Sequence, residues 1–209
     1  MRKTIKLSAL SLVASALLIG CGSYSDTSIT TDTETGYFID APVEGLTYKT
    51  TSGLTGTTDY QGRFQYKKGE KVHFSIGKLN FGEAEPTAEG LISPEELTQN
   101  QELVTLILRT LQALDIDDDP SNGITIPQSV TIALQNLETD KDILDFSTDS
   151  EILDITTDLS EFLDKDYDGE IDVSAAEANA HFEQSMDNWD GGSRPENEPT
   201  QGSHGDGTV

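Results

Sequence analysis

The sequence predicts an α+β protein in which a small antiparallel β-sandwich or barrel is followed by a helical module of about four helices. Residues 36–84 contain short runs of alternating apolar and polar residues between glycines, which is typical of short antiparallel strands. From residue 90 to residue 187 the apolar residues recur at helical spacing instead. The two modules together hold about 150 residues, enough for one compact domain or two small domains that share an interface.

Five strands are predicted in the β module, residues 36–84. In each of them apolar or aromatic side chains occur in a short run or alternate with polar ones, so that one face of the strand can be buried. Several glycines and Pro42 separate the runs and supply the turns that a sheet of short strands requires. The predicted strands are Tyr37–Ile39, Leu46–Thr50, Arg63–Tyr66, Val72–Ile76 and Leu79–Phe81.

The helical module, residues 90–187, opens with a capping box. Ser93 is placed to cap the first helix, with Pro94 at its first position and Glu96 at its third. The apolar residues from Leu97 to Leu114 cover more than one face, which predicts a helix central to the core. Three further helices are predicted: one after Pro127, one across residues 152–163, and one from a second capping box (Ser174 and Glu177) to about Met186.

The N-terminus resembles a bacterial lipoprotein signal. Residues 1–6 are basic, residues 7–19 are apolar or small, and Leu18 to Cys21 is similar to the lipobox that is cleaved before its cysteine. The apolar run is shorter than the roughly 20 residues that span a bilayer. The alternative is an ordinary secretory signal, although the only cysteine of the chain lies where the motif requires it. We expect residues 1–20 to be removed and Cys21 to carry a lipid anchor.

Two polar segments flank the expected fold. Residues 21–35 are rich in Ser, Thr and Asp and predict a flexible tether, and residues 188–209 predict a disordered tail. The residue after Cys21 is Gly22 rather than an aspartate. By resemblance to the known sorting pattern of lipoproteins, this favours the outer membrane, on either its periplasmic or its extracellular face.

The chain is strongly acidic. It contains 38 Asp and Glu residues against 13 Lys and Arg, a formal net charge of −25, and removal of residues 1–20 would take away bases but no acid. This charge excludes a protein that binds nucleic acid or an anionic membrane surface by electrostatic attraction. It favours cations, calcium among them, although solubility and self-repulsion are the commoner reasons for such acidity.

One stretch of the β module resembles a known family of surface modules. Residues 56–66 read Gly-Thr-Thr-Asp-Tyr-Gln-Gly-Arg-Phe-Gln-Tyr, similar to a hairpin of carboxypeptidase-regulatory-like β-sandwich repeats. Asp59 to Gly62 would form the turn, with the glycine at positive φ, and Phe64 and Tyr66 would share one face. Over about residues 36–126 the chain also resembles modules of Gram-negative lipoproteins and adhesin-like proteins. The resemblance implies a β-sandwich that serves as a spacer or binding scaffold.

An acidic loop late in the chain matches the start of an EF-hand calcium loop. Asp164, Asp166 and Asp168 stand at positions 1, 3 and 5, Gly169 at the sharp turn of position 6, and Ile171 at position 8. Calcium takes six to eight oxygen ligands, and alternating carboxylates supply three of them from a few residues. The alternative is a solvated turn without metal, because Asp and Gly favour turns in any acidic chain.

The end of this loop departs from the EF-hand pattern. The closing glutamate of a standard loop stands at position 12, which is Ala175 here, whereas Glu177 lies two residues later. Either the loop has a two-residue insertion and Glu177 still closes it, or Glu177 only caps the last helix. In the second case the site is open and weaker, and its ligands are Asp164, Asp166, Asp168 and Asp172.

A second candidate calcium loop lies earlier in the chain and is less regular. Asp115, Asp117 and Asp119 alternate, but Gly123 follows them too late for the EF-hand spacing. Counting back from Asn122 and the glycine as positions 5 and 6 places a proline at position 3, where no side-chain oxygen is available. The loop still resembles acidic calcium loops of extracellular proteins, and its candidate ligands are Asp115, Asp117, Asp119 and Asn122.

The sequence favours a protein that is not an enzyme. It contains no nucleophile elbow, no zinc-protease motif, no phosphate loop and no dinucleotide fingerprint. We therefore expect a membrane-anchored envelope or surface lipoprotein that acts as a non-catalytic, calcium-stabilised binding or adhesion module, with a protein or glycan as its partner. The alternative is a purely structural envelope lipoprotein with no specific ligand. An exposed apolar patch on the β module would favour the first hypothesis.

Overall fold

The computed structural model describes residues 32–189, which lie within one compact unit that begins at Asp32. The predicted signal peptide, Cys21 and most of the predicted tether lie outside the described residues, as does the predicted tail from residue 190 onward. The described part is a mixed α+β fold with ten strands and six α-helices. The predicted fold class is therefore confirmed.

Short strands account for most of the first half of the described chain. They include the five predicted strands and five shorter ones that the sequence pattern did not indicate. In chain order they are β1 (Glu34–Phe38), β2 (Val43–Glu44), β3 (Thr47–Thr50), β4 (Thr55–Thr57), β5 (Arg63–Tyr66), β6 (Val72–Ile76), β7 (Leu79–Ala84), β8 (Leu91–Ile92), β9 (Ile124–Thr125) and β10 (Lys141–Asp142).

These strands form three sheets. The largest has the order β10-β7-β6-β3-β4, the second has the order β5-β1-β8, and the third pairs β2 with β9. The long ladders are antiparallel, as predicted, but β1–β8, β7–β10 and β2–β9 are parallel pairs. Parallel strands need a long connection. Residues from the helical module supply the later strand of each parallel pair, so the two predicted modules interleave.

Six α-helices follow one another along the second half of the chain. They are α1 (Pro94–Leu97), α2 (Gln101–Ala113), α3 (Gln128–Gln135), α4 (Asp149–Leu153), α5 (Thr157–Leu163) and α6 (Ala175–Asp187). The capping boxes at Ser93 and Ser174 are both present. Helix α2 is buried along most of its length, as expected of a helix at the centre of the core.

The estimate of about four helices was too low because two predicted helices are each interrupted. The first breaks where Thr98 takes an extended conformation and Asn100 caps a new helix by accepting the Glu102 N–H at 3.0 Å. The helix predicted across residues 152–163 breaks after Asp154, which ends α4. Thr and Asn compete for backbone hydrogen bonds, and this favours caps over helix interiors.

The turn at residues 59–62 forms as expected, but it does not close a hairpin. The Gly62 N–H donates to the Asp59 carbonyl at 2.7 Å, and Gly62 has φ +72°. A Cβ at that position would lie 2.5 Å from the Phe38 carbonyl oxygen, so only glycine fits. Strand β4 pairs with β3 whereas β5 pairs with β1, so the turn carries the chain from one sheet to the other.

A single large hydrophobic core joins the sheets to the helices. Phe64 lies at its aromatic centre, with ring centroids 5.2 Å from Phe74 and 5.9 Å from Tyr48. The same core includes apolar side chains of α2, α3, α4 and α5, and a smaller cluster lies between α2 and α6. Because one core serves both predicted modules, neither module buries its apolar surface alone.

The edges of the described part differ slightly from the predicted boundaries. Strand β1 begins at Glu34, inside the last residues of the predicted tether, and Asn188 caps the end of α6. Trp189 then packs edge-on against Tyr37 with ring centroids 5.0 Å apart. Among the described residues, no helix is both long enough and apolar enough to cross a membrane.

Candidate metal centre

The loop between α5 and α6 brings three carboxylates together. Oxygens of Asp164, Asp166 and Asp172 all lie within 4.8 Å of one another. It is the only group of three such side chains found among residues 32–189. Carboxylate oxygens alone form this cluster, which is the ligand chemistry that hard divalent cations prefer. The cluster could therefore hold a metal ion.

Asp164 organises the backbone of this loop. It is 7% exposed and accepts the Asp168 N–H at Oδ1 and the Gly169 N–H at Oδ2, both at 2.9 Å. The chain can turn so tightly because Tyr167 and Gly169 both have positive φ, at 61° and 88°. The alternation of Asp and Gly thus produces the backbone turn locally, before any metal is considered.

The other two carboxylates also accept backbone N–H groups. Asp166 Oδ1 accepts the Asp168 N–H at 3.2 Å, and Asp172 Oδ2 accepts the Lys165 N–H at 2.8 Å. Each carboxylate oxygen has a second lone pair, so these bonds leave the group able to bind a cation. Partial desolvation, together with the charges of the neighbouring aspartates, raises the pKa of Asp166. A cation bound among these groups would offset that repulsion.

An ion pair beneath the loop fixes the residues at the end of the loop, just before α6. Arg109 of α2 donates to both Asp149 carboxylate oxygens, at 2.6 and 2.7 Å, and also to the carbonyls of Ile171 and Val173. Asp149 in turn accepts the Ile171 N–H at 3.0 Å. Both charged side chains are mostly buried, at 15% and 18% exposure. This two-sided arrangement, called here the Arg109–Asp149 clamp, fixes residues 171–173 against α2 and α4.

The Arg109–Asp149 clamp was not predicted from the sequence. A signal was available, because Arg109 is the only basic residue between Lys78 and Lys141 and lies in the middle of an apolar helix. A lone arginine in such surroundings predicts a buried acidic partner. The identity of that partner, 40 residues away on a different helix, could not be inferred from local spacing.

Two predicted ligands lie apart from the three-carboxylate cluster. Asp168 Oδ1 accepts the Glu170 N–H at 2.9 Å, and its side chain is not in the cluster. Glu177 accepts the Ser174 N–H at 3.1 Å and the Ser174 hydroxyl at 2.6 Å. These bonds hold Glu177 in the capping box of α6, and its side chain is not in the three-carboxylate cluster.

The earlier acidic loop is organised differently. Asp117 accepts the Asn122 side-chain N–H at 3.0 Å, which lowers the pKa of Asp117, and Asp119 accepts the Ser121 N–H at 3.2 Å. Asp115 accepts the Thr125 N–H at 2.8 Å, and its side chain is buried. The predicted ligands of this loop do not form a three-carboxylate cluster in the described structure. The two acidic loops meet where Lys165 of one pairs with Asp118 of the other.

The described histidines do not form a catalytic arrangement with an acid. His181 Nε2 lies 3.3 Å from the Ser185 hydroxyl, one turn later on α6, and burial lowers the His181 pKa. No carboxylate in the described part hydrogen-bonds its ring, so the orienting group of a serine–histidine site is missing there.

An open cleft of about 660 Å³ lies over the Arg109–Asp149 clamp, and its charged lining is Arg109, Asp149, Asp166, Asp168, Glu170 and Asp172.

No protein-family model, curated protein or solved structure matches this chain. Its function therefore has to be inferred from its own residues.

Proposed function

We propose that this chain is a non-catalytic, lipid-anchored envelope module whose fold is stabilised by calcium at the loop between α5 and α6. The observation that carries the proposal is the cluster of Asp164, Asp166 and Asp172, whose oxygens lie within 4.8 Å of one another. Asp164 is buried whereas Asp166 and Asp172 are exposed, so solvent screens part of the repulsion among the three charges, and a cation bound between them would offset the rest.

The chemistry of the cluster favours calcium over other metals. Zinc and copper prefer nitrogen and sulfur ligands, and this cluster contains oxygen only. Magnesium requires near-ideal octahedral geometry, whereas calcium accepts irregular sets completed by carbonyls and water. Three carboxylates without a closing glutamate suggest a dissociation constant of roughly 0.1–1 mM, the range of extracellular calcium modules.

Calcium bound here would act as a staple between elements. The loop joins α5 to α6, and the Arg109–Asp149 clamp ties its exit to α2 and α4. A cation that holds Asp164 at the start and Asp172 at the end of the loop would therefore restrain four helices. A ligand that binds only the folded state raises the free energy of unfolding as its concentration exceeds the dissociation constant.

The anchoring part of the proposal is supported by the N-terminal sequence. Residues 1–20 have the charge and length of an export signal, and Cys21 ends a lipobox-like motif. The acylated cysteine would place the module at the outer membrane, beside a medium that contains calcium. The polar residues after Cys21 would keep the module clear of the lipid surface.

A binding or adhesive role has support from exposed apolar side chains on the two acidic loops. Four large hydrophobic side chains are exposed among the described residues, and two of them lie on the acidic loops: Ile116 at 64% and Tyr167 at 77%. We propose these two exposed side chains as contacts for a protein or glycan partner. On the β segment Tyr60 is the only exposed large hydrophobic described, and this favours the structural alternative for that face.

The experiment that tests the calcium proposal is a thermal melt of residues 22–209, which include the whole compact unit. In about 10 mM calcium, binding at the loop between α5 and α6 should raise the midpoint by about 5–10 °C relative to EDTA. Asp166→Asn should remove this contribution of about 5–10 °C to the calcium-dependent rise, because it removes one cluster charge while keeping the side-chain volume.

Glu183→Gln is the matched control, because it removes one exposed acidic charge from α6 without touching the cluster. It should keep the full calcium effect, and magnesium at equal concentration should give a smaller one. An equal calcium response in Asp166→Asn and in the parent chain would show that the ion does not act at this cluster, and the calcium proposal would then be rejected.

A further inference from the structure

We propose that the earlier acidic loop, residues 115–123, holds a second divalent cation against the buried carboxylate of Asp115. This site is separate from the cluster at Asp164, and it would persist if that cluster bound no metal. The proposal starts from one atom, Asp115 Oδ2, which is buried without any hydrogen-bond donor.

Asp115 is held in a fixed position at the end of α2. The residue is 3% exposed, and its Oδ1 accepts the Thr125 N–H at 2.8 Å. The Ile116 N–H donates to the Thr125 carbonyl at 3.1 Å, so the loop is closed on itself at its base. The backbone therefore engages Oδ1, whereas Oδ2 is buried without a partner.

A buried carboxylate oxygen without a donor is unfavourable, and the neighbour of Asp115 makes it more so. The Asp117 carboxyl lies within hydrogen-bonding reach of Asp115. Two ionised carboxylates are both acceptors, so only a cation or a proton can occupy the space between them.

Among the described residues, no basic side chain forms an ion pair with Asp115. Lys165, whose side chain reaches this loop, pairs with Asp118. Arg109, about one turn and a half earlier on α2, pairs with Asp149. Both cations are therefore occupied elsewhere, and no ion pair in the described part involves Asp115. An ion from solution is the remaining source of positive charge.

The available ligands indicate the class of ion. Asp115 Oδ2 and the Asp117 carboxylate are hard oxygen ligands, and the Asn122 side-chain N–H holds the Asp117 carboxylate by donating to its Oδ2 at 3.0 Å. Water would complete the shell. This set suits calcium and not a nitrogen- or sulfur-seeking metal. Two carboxylates in place of three predict weaker binding than at Asp164, with a dissociation constant of roughly 1 mM.

The test uses residues 22–209 and calcium alone, in four forms: the parent chain, Asp166→Asn, Asp115→Asn and the double variant. In Asp166→Asn, about 10 mM calcium should still raise the melting midpoint by about 3–5 °C relative to EDTA. In the double variant that remaining rise should disappear. Asp117→Asn combined with Asp166→Asn should behave as the double variant does, and it serves as a second test if Asp115→Asn folds poorly.

The metal-free midpoints show whether the variants are intact. The amide introduced by Asp115→Asn could donate its N–H to Asp117, so this variant in EDTA should melt at or above the parent midpoint. Complete loss of the calcium response in Asp166→Asn alone would overturn this second site while leaving the first. If Asp115→Asn loses the calcium response and Asp166→Asn keeps it in full, the second site stands and the calcium cluster at Asp164 is overturned.

Discussion

At the residue scale, the most completely buried carboxyl of the described structure belongs to Asp40, in the turn between β1 and β2. Both of its oxygens accept the Gln112 amide N–H, at 2.9 and 3.2 Å, and the same amide donates to the Ala178 carbonyl at 3.1 Å. One side chain of α2 therefore connects the β1–β2 turn to α6. Burial raises the Asp40 pKa well above its ordinary value, and the bond from Gln112 only partly opposes the rise.

This burial predicts a pH dependence of stability. An unfolded aspartate ionises near pH ~3.9, whereas folded Asp40 resists ionisation. The free energy of unfolding should therefore fall as pH rises above about 4, until the pH reaches the folded pKa. Asp40→Asn removes the ionisation, so it should remove this part of the decline and gain stability relative to the parent at neutral pH. Melting midpoints between about pH 4 and pH 8 in EDTA check this.

Asp40→Ala is the contrasting variant. It leaves the Gln112 amide without this acceptor and should lose about 1–3 kcal/mol of stability. If the difference between Asp40→Asn and the parent chain stays constant across the pH range, Asp40 does not ionise with a raised pKa in the folded state.

At the scale of secondary-structure elements, the Arg109–Asp149 clamp connects α2, α4 and the exit of the metal loop. A mostly buried ion pair that loses one partner leaves an uncompensated charge. Arg109→Met should therefore lower the free energy of unfolding by about 2–4 kcal/mol, slightly less than for a fully buried pair. It should also weaken calcium binding, because the carbonyls of Ile171 and Val173 lose their donor.

Urea unfolding of Arg109→Met and of Arg63→Gln would measure the difference between a buried and an exposed pair. Arg63 pairs with Asp59 at 2.7 Å, but the two side chains are 41% and 38% exposed. Arg63→Gln should therefore cost about 0–1 kcal/mol. Equal losses in the two variants would show that the clamp contributes no more than a surface ion pair does.

The element boundaries show where sequence reasoning succeeds. The capping boxes at Ser93 and Ser174 and the turn at residues 59–62 depend on contacts within four residues, and all were predicted. The two-residue strands β2, β8, β9 and β10 were missed, because their pairing partners lie far away along the chain. Two residues carry no periodicity, so only the fold could reveal these strands.

At the scale of the whole molecule, the proposed anchor determines where the module acts. Cys21→Ser should abolish membrane association, because it removes the thiol that would carry the proposed lipid anchor. Partition of the expressed protein between detergent and aqueous phases, with incorporation of labelled palmitate, would measure this. Glu183→Gln should partition as the parent does. Continued membrane association of Cys21→Ser without label would show that lipid at this cysteine is not the anchor.

The charge of the molecule acts on the same scale. With 38 acidic against 13 basic residues, the chain repels itself and anionic surfaces. Cations are attracted by this net charge as well as by any particular cluster of carboxylates. For this reason the calcium experiments compare single substitutions at equal charge. The difference between Asp166→Asn and Glu183→Gln isolates the cluster from the field of the whole molecule.

By itself the sequence determined the features that arise from short-range contacts. The α+β class, the alternation of the longer strands, the helix caps and the tight turn around Gly169 all follow from residues a few positions apart. Local hydrogen bonds and side-chain periodicity are enough to specify them.

Only the tertiary structure decided how the acidic residues are used. It places Asp172 beside Asp164 and Asp166, and it encloses Asp115 Oδ2 without a donor. Each outcome depends on which helix or strand packs nearby, and packing joins residues that are distant in sequence. The physical reason is that burial sets the charge balance of a carboxylate, and burial is a property of the whole fold.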